Sequence, residues 1–141
     1  MSLKKFLNPR LAAVEQDTSL AEVQRIFQAA PFHHLLVVEH KVLVGIISDR
    51  DLFKALSPNL GTAAETRKDT ATLNKKAHQI MSRPVRSLHQ KNDIYDAIDL
   101  FLKHKISCVP IVDEYNHPIG MISWRDILAL LAAGKRKKEQ H

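Results

Sequence analysis

The chain repeats itself. Gly45-Ile46-Ile47-Ser48-Asp49-Arg50-Asp51 and Gly120-Met121-Ile122-Ser123-Trp124-Arg125-Asp126 share five of seven residues at a shift of 75. Upstream, Ser19 to Phe27 matches Asp93 to Phe101 at a shift of 74. The one-residue difference falls between Glu39-His40-Lys41 and Asp113-Glu114-Tyr115-Asn116-His117, polar stretches where an insertion costs little. A shift this constant, broken only at a turn, means two copies of one structural unit.

Each copy reads in the same order. An extended segment (Leu11 to Val14, Val85 to Leu88) precedes a helix with a start signal, Ser19 with Glu22 or Asp93 with Asp96 at capping-box spacing. Asp96 is shorter than the preferred glutamate, which predicts a weaker second box. The helices carry apolar faces at a helical period: Leu20, Val23, Ile26, Phe27 and Ala30, then Ile94, Ala97, Leu100 and Phe101. Two strands follow. Leu35 to Val38 and Cys108 to Val112 are β-branched-rich runs of the kind buried on both faces, and Val42 to Ile47 and Ile119 to Ile122 lie beyond short turns. A second helix opens at Ser-x-Arg-Asp. The unit is β-α-β-β-α, about 50 residues long and too small to bury a stable core alone. The expected fold class is α+β, with two such units packed sheet to sheet about a pseudo-twofold axis. The expected boundaries are 7–57 for the first unit, 58–79 for a partly helical connector, 80–133 for the second unit and 134–141 for a basic tail. Within the connector, 72–81 reads as a short helix.

Composition narrows the function classes. Of 141 residues, 45% are hydrophobic and 26% charged, as in ordinary globular domains. No apolar run approaches the roughly 18 residues of a membrane-spanning helix, and Met1 to Phe6 lacks the apolar centre of a secretion signal. A cytoplasmic setting is the expectation. The single cysteine, Cys108, forms no internal disulfide and no thiolate cluster. The net charge of +6 owes much to Lys135, Arg136, Lys137 and Lys138, and a short basic end of this kind is usually a solvated, frayed terminus. With only four glycines, no phosphate-cradling loop is present, and no His–acid pair supports Ser48 or Ser123 as a nucleophile. The chain is not expected to be an enzyme, and no catalytic residue and no metal site are assigned.

Two units ending in Gly-apolar-apolar-Ser-x-Arg-Asp, with Ile80-Met81-Ser82-Arg83-Pro84 leading into the second and Val109-Pro110-Ile111-Val112-Asp113 at its centre, resemble a tandem pair of CBS (cystathionine β-synthase) domains. The first unit departs from the pattern: Phe6-Leu7-Asn8-Pro9 replaces the Met-containing lead, and Leu36 stands where Pro110 does. The resemblance runs from Leu7 to Leu131 and leaves no region for a further domain, so a stand-alone pair is expected. It implies adenosine-ligand sensing, with AMP, ADP, ATP or S-adenosylmethionine held in a cleft between the units, and it implies a homodimer of pairs.

The residues themselves give a partial case for that chemistry. Ser48 and Ser123 mark strand-to-helix junctions, where unpaired amides and the positive end of a helix dipole converge. Arg50 and Arg125 offer forked donors suited to phosphate, and Asp51 and Asp126 offer acceptors suited to ribose hydroxyls. The resemblance assigns the aspartates to ribose and the serines to the ribose–phosphate. Ser-x-x-Asp is also a capping box, and spacing alone leaves that structural reading open. His33 and His34 correspond to Ser107 and Cys108, which makes the two copies unequal. The resemblance places residues here near phosphates, whereas an exposed polar pair is the plain alternative. Val85 and Pro110, with Ile106 and Leu11, are the expected apolar walls around a base, or else ordinary core. Trp124 is expected at a dimer surface or over a cleft. The competing functions are a ligand-free interaction scaffold and a nucleic-acid adaptor using Lys135–Lys138.

Overall fold

The computed structural model describes residues 2–8 and 11–139. They form two compact modules. The first is Ala12–Val85, and the second comprises the residues from Arg86 onward together with the N-terminal segment through Leu11. Each holds one three-stranded mixed sheet. In the first module, β1 (Ala13–Glu15) lies parallel to β2 (His34–Glu39), and β3 (Val42–Ser48) lies antiparallel to it on the other side. In the second, β4 (Leu88–His89), β5 (Cys108–Val112) and β6 (Pro118–Ser123) repeat that order. β2 and β5 are the central strands, which is why their sequences are continuously apolar. The repeat extends to irregularities: the ladder shifts register between Val37 and Val38, and again between Ile111 and Val112. The insertion sits where expected. His40 and Lys41 make the first hairpin turn with both residues at positive φ, whereas the second runs from Asp113 to His117 with Asn116 at φ 63°. The Asp113 carboxylate accepts from the Tyr115 and His117 amides at 2.9 Å and braces that longer turn.

The helices are α1 (Leu20–Ala29), α2 (Asp49–Ala55), α3 (Arg67–Ala71), α4 (Ala77–Ile80), α5 (Ile94–Lys103) and α6 (Trp124–Glu139). The caps of α1 and α5 differ from expectation. Asp93 and Asp96 form a complete capping box, despite the shorter side chain at Asp96. Ser19 caps the Glu22 amide, but the Glu22 carboxylate turns to Arg25 and the box stays half-made. A competing cation outweighs the length of the acid. The expected helix over 72–81 is split: a 3₁₀ turn at Thr72–Asn74 ends at extended Lys75, whose carbonyl accepts from the Leu20 amide, and α4 follows. α3 was not foreseen. It is tied down by the buried Asp69, whose carboxylate accepts from Ser57 Oγ at 2.6 Å and from the Thr66 amide at 2.7 Å. α6 runs through the basic stretch from Lys135 to Lys138 as far as Glu139, exposed throughout, with cations at the favourable C-terminal pole of the helix. Pro9, Gln140 and His141 lie outside the described residues.

The two cores are built from matching positions. Val14, Leu20, Val23, Leu35, Val37, Ile47 and Leu52 in the first correspond to Leu88, Ile94, Ala97, Val109, Ile111, Ile122 and Ile127 in the second. The match continues to Ala77 and Leu3, also 74 apart, but with the modules exchanged. Ala77 and Met81 pack in the first core, just ahead of the second repeat in sequence. Leu3, 0% exposed, packs in the second core, ahead of the first repeat. Each leading segment is thus held by the repeat it does not precede. Main-chain pairing fixes both: Leu7 bridges Gly120 with the Asn8 amide on the Ile119 carbonyl at 2.8 Å, and Ser82 bridges Ile46. The compact modules therefore cut across the sequence repeats at these two leading segments. Burial of Leu3 and Met81, rather than adjacency in sequence, decides where those segments belong.

Candidate functional site

Both strand-to-helix junctions are built alike. Ser48 ends β3, and its Oγ accepts from the Asp51 amide at 3.1 Å while Asp51 Oδ2 accepts from the Ser48 amide at 2.8 Å. Ser123 ends β6 and exchanges the same two bonds with Asp126, at 3.1 and 2.8 Å. The structural role of Ser-x-x-Asp is therefore realised in both copies. It uses one carboxylate oxygen of each aspartate, and among the described residues neither Oδ1 has a hydrogen-bond partner. Arg50 and Arg125 are exposed on the first turns of α2 and α6, and among the described residues neither guanidinium has a side-chain partner. The cap explains the serine and the aspartate. It does not explain the arginine.

The central strands deliver the paired residues to the same places. His34 lies opposite Ser48 and Cys108 opposite Ser123 in their ladders. The Asp49 amide donates to the His33 carbonyl at 2.9 Å, and the Trp124 amide to the Ser107 carbonyl at 3.2 Å. The first junction thus gathers His33, His34, Ser48, Arg50 and Asp51, and the second gathers Ser107, Ser123, Arg125 and Asp126.

Their electrostatics diverge as the sequence implied. His33 Nδ1 sits 2.9 Å from Asp49 Oδ2, and this bond, helped by the Arg50 amide, holds the Asp49 carboxyl below its usual range. The repeat gives no signal for Asp49 as the partner of an exposed histidine, because Trp124 stands at the equivalent position. Burial lowers the pKa of His34, an effect that the carboxylates of Asp49 and Asp51 partly oppose. In the second junction burial, reinforced by the Asp126 charge, pushes the Cys108 thiol up to about 12. That thiol stays protonated and unreactive. Trp124 is 50% exposed where Asp49 stands in the other copy.

The expected apolar walls fare differently. Val85, Ile106 and Leu11 are half-buried, whereas Pro110 is fully buried in β5 and packs wholly within protein. Among the described residues, no group of three or more His, Cys, Asp or Glu side chains is placed to hold a metal, and no helix is long and apolar enough to cross a membrane.

Comparison with known proteins follows the same division into repeats. Residues 3–58 and 77–133 each match the CBS domain, and both matches include the exchanged leading segments at Leu3 and Ala77. A CBS domain-containing protein of Dictyostelium discoideum is 30% identical over 131 residues, covering 92% of this chain and 90% of that protein. The solved CBS domain pair of protein MJ0100, in complex with 5′-methylthioadenosine and S-adenosyl-L-methionine, superposes with a TM-score of 0.76 at 27% identity, covering 95% of this chain and 98% of the other. CBSX2 in complex with AMP shares the fold at a TM-score of 0.76 and 23% identity, over 95% of this chain and 98% of that one. L-aspartate semialdehyde sulfurtransferase of Methanocaldococcus jannaschii is 30% identical over 94% of this chain, but the chain spans only 24% of its length. Two repeats, each with a mixed sheet, a capped Ser-x-Arg-Asp junction and a family match, give one conclusion: the chain belongs to the CBS domain family.

Proposed function

We propose that the chain is a non-catalytic regulatory module that senses an adenine nucleotide of the AMP, ADP or ATP type at its Ser-x-Arg-Asp junctions. One observation carries this reading. In both copies an arginine with no side-chain partner among the described residues precedes, in sequence, an aspartate with one carboxylate oxygen that the cap does not use. A forked donor fits a phosphate, and an acceptor-only oxygen fits a ribose hydroxyl. The N-terminal pole of the sixteen-residue α6 adds amide donors and a favourable dipole. His33 and His34 make the first junction the one better furnished for phosphate, and Trp124 offers the second a flat apolar surface. The MJ0100 pair, which holds two adenosine derivatives, supports the ligand class and keeps S-adenosylmethionine among the candidates. Binding alters the surface presented to a second copy or to a partner protein, and only to the extent that the ligand prefers one state of that surface.

A calorimetric titration with AMP, ADP, ATP and S-adenosylmethionine tests this. At least one ligand is expected to bind, and Asp126→Ala is expected to abolish or strongly weaken binding at the second junction while costing only about 1 kcal/mol of helix capping. Neutralising Lys135, Arg136, Lys137 and Lys138 to glutamine is expected to leave the titration unchanged. Silence across the panel favours a ligand-free scaffold, for which the fully made capping boxes are the supporting observation. Tight, steeply salt-dependent binding of nucleic acid that disappears with the four cations favours the adaptor.

A further inference from the structure

The two junctions differ most at His33 and Asp49, where the second copy has Ser107 and Trp124. His33 directly precedes β2 with its side chain 76% exposed, and its Nδ1 stands 2.9 Å from Asp49 Oδ2. The Asp49 amide, donating to the His33 carbonyl, fixes the two residues side by side. His33 is the largest cause of the lowered pKa of Asp49, whose ionised carboxylate has only acceptors to offer. A neutral His33 must therefore keep its one ring proton on Nδ1. Its Nε2, with no hydrogen-bond partner among the described residues, is then an acceptor, the wrong group for a phosphate oxygen. A second proton makes Nε2 a charged donor, and histidine is the side chain that takes up such a proton between about pH 5 and 8.

We propose that His33 is a proton-dependent phosphate donor of the first junction, with Asp49 as the positioning residue that fixes its ring. This rests on the nucleotide reading of the junctions and adds a condition to one of them. The first junction takes a phosphorylated ligand when His33 carries both ring protons and disfavours it when the ring is neutral. Charge points the same way as the hydrogen bonds. With His33 neutral, the carboxylates of Asp49 and Asp51 outnumber the guanidinium of Arg50, and the second proton restores the balance. In a helix of only seven residues, such as α2, these full charges outweigh the partial charge of the helix pole. His34 is the weaker candidate for the role, because burial lowers its pKa against the opposing pull of Asp49 and Asp51. The second junction has no counterpart. Ser107 and Trp124 do not titrate, and the Cys108 thiol, pushed up to about 12, stays protonated. The two junctions therefore answer differently to the same nucleotide as pH changes.

The test follows the His33 ring resonance through a pH titration of the whole chain, alone and with saturating AMP, ATP or adenosine. His33→Gln identifies the resonance by its loss. Binding and protonation are linked, so AMP or ATP is expected to raise the titration midpoint of His33 by about one pH unit, a tenfold coupling of the size one charge-assisted hydrogen bond gives. Adenosine, without a phosphate, is expected to leave the midpoint in place. Asp49→Asn supplies a gain that misfolding does not mimic. Its amide donates to Nδ1, so the neutral ring carries its proton on Nε2 and already presents a donor. This variant is expected to bind AMP more tightly than the parent protein at about pH 8, and the midpoint shift of His33 is expected to shrink. AMP or ATP that binds without moving the His33 midpoint, or that moves it no more than adenosine does, overturns the role of His33 and leaves the nucleotide reading standing. Weaker binding by Asp49→Asn at the higher pH overturns the role given to Asp49. Calorimetric silence from both nucleotides across the pH range overturns the nucleotide reading and this inference with it.

Discussion

Leu3→Ala is expected to destabilise the second module by about 2–5 kcal/mol, the range for emptying a fully buried leucine site. Nothing about a residue three positions from the start of a chain suggests such a cost, because chain ends are where substitutions are usually tolerated. The cost follows from placement. Leu3 is wholly buried and belongs to the second core, the cluster that also holds Leu88, Ile94, Val109 and Ile122. Trp124 is the only tryptophan and belongs to that module, so its fluorescence during urea unfolding reads the right transition. A midpoint shifted by less than the equivalent of about 1 kcal/mol would mean that the N-terminal segment does not contribute to that core.

Gly120→Ala is expected to be costly for a different reason. A Cβ on Gly120 would stand 2.5 Å from the Phe6 carbonyl oxygen and 3.0 Å from Leu7 Cα, which are main-chain atoms of the segment that Leu3 anchors. Main chain cannot turn aside as a side chain does. The segment must move, and the Leu7–Gly120 bridge and the Asn8–Ile119 hydrogen bond move with it. The expected loss is about 3 kcal/mol, at the upper end of overpacking effects. Gly45 is the repeat-equivalent residue and gives an internal control. The three atoms nearest its Cβ would all belong to the Met81 side chain, and the two closest, Sδ and Cγ, are parts of a flexible thioether that can turn aside. Gly45→Ala is therefore expected to cost less than Gly120→Ala, by urea unfolding of the two variants side by side. Equal costs, or the reverse order, would contradict the account of how the two leading segments cross their glycines.

The repeat made most of this legible. Conserved spacing between the copies located the central and hairpin strands, the order of elements and both capped junctions, because identical local signals at a fixed shift reinforce each other. The leading strands lie further along than expected, at Ala13–Glu15 rather than Leu11 to Val14 and at Leu88–His89 rather than Val85 to Leu88. What escaped was non-local. The exchange of Leu3 and Ala77 between cores leaves no trace in the pattern of either segment, since the same apolar residue serves whichever repeat it packs on. α3 escaped because its stability lies in the Asp69–Ser57–Thr66 hydrogen bonds rather than in an apolar period. At the junctions, residue types announced both a cap and a ligand contact. The geometry realises the cap: Oδ2 of each aspartate is committed to it, and the arginine takes no part in it. The pairing of His33 with Asp49 escaped because the second copy has Ser107 and Trp124 there, so the repeat supplied no signal.

The central claim is that Arg50 and Arg125 are held at repeated junctions to meet a nucleotide phosphate. The most direct measurement compares the affinities of AMP and adenosine for the parent protein and for the double variant Arg50→Gln, Arg125→Gln. The parent is expected to prefer AMP by roughly tenfold or more, as a charge-assisted hydrogen bond worth about 1.5–3 kcal/mol implies. The variant is expected to lose that preference while its unfolding midpoint stays put, because neither guanidinium has a side-chain partner among the described residues. An AMP preference that survives the double substitution, or no preference in the parent, would contradict the claim.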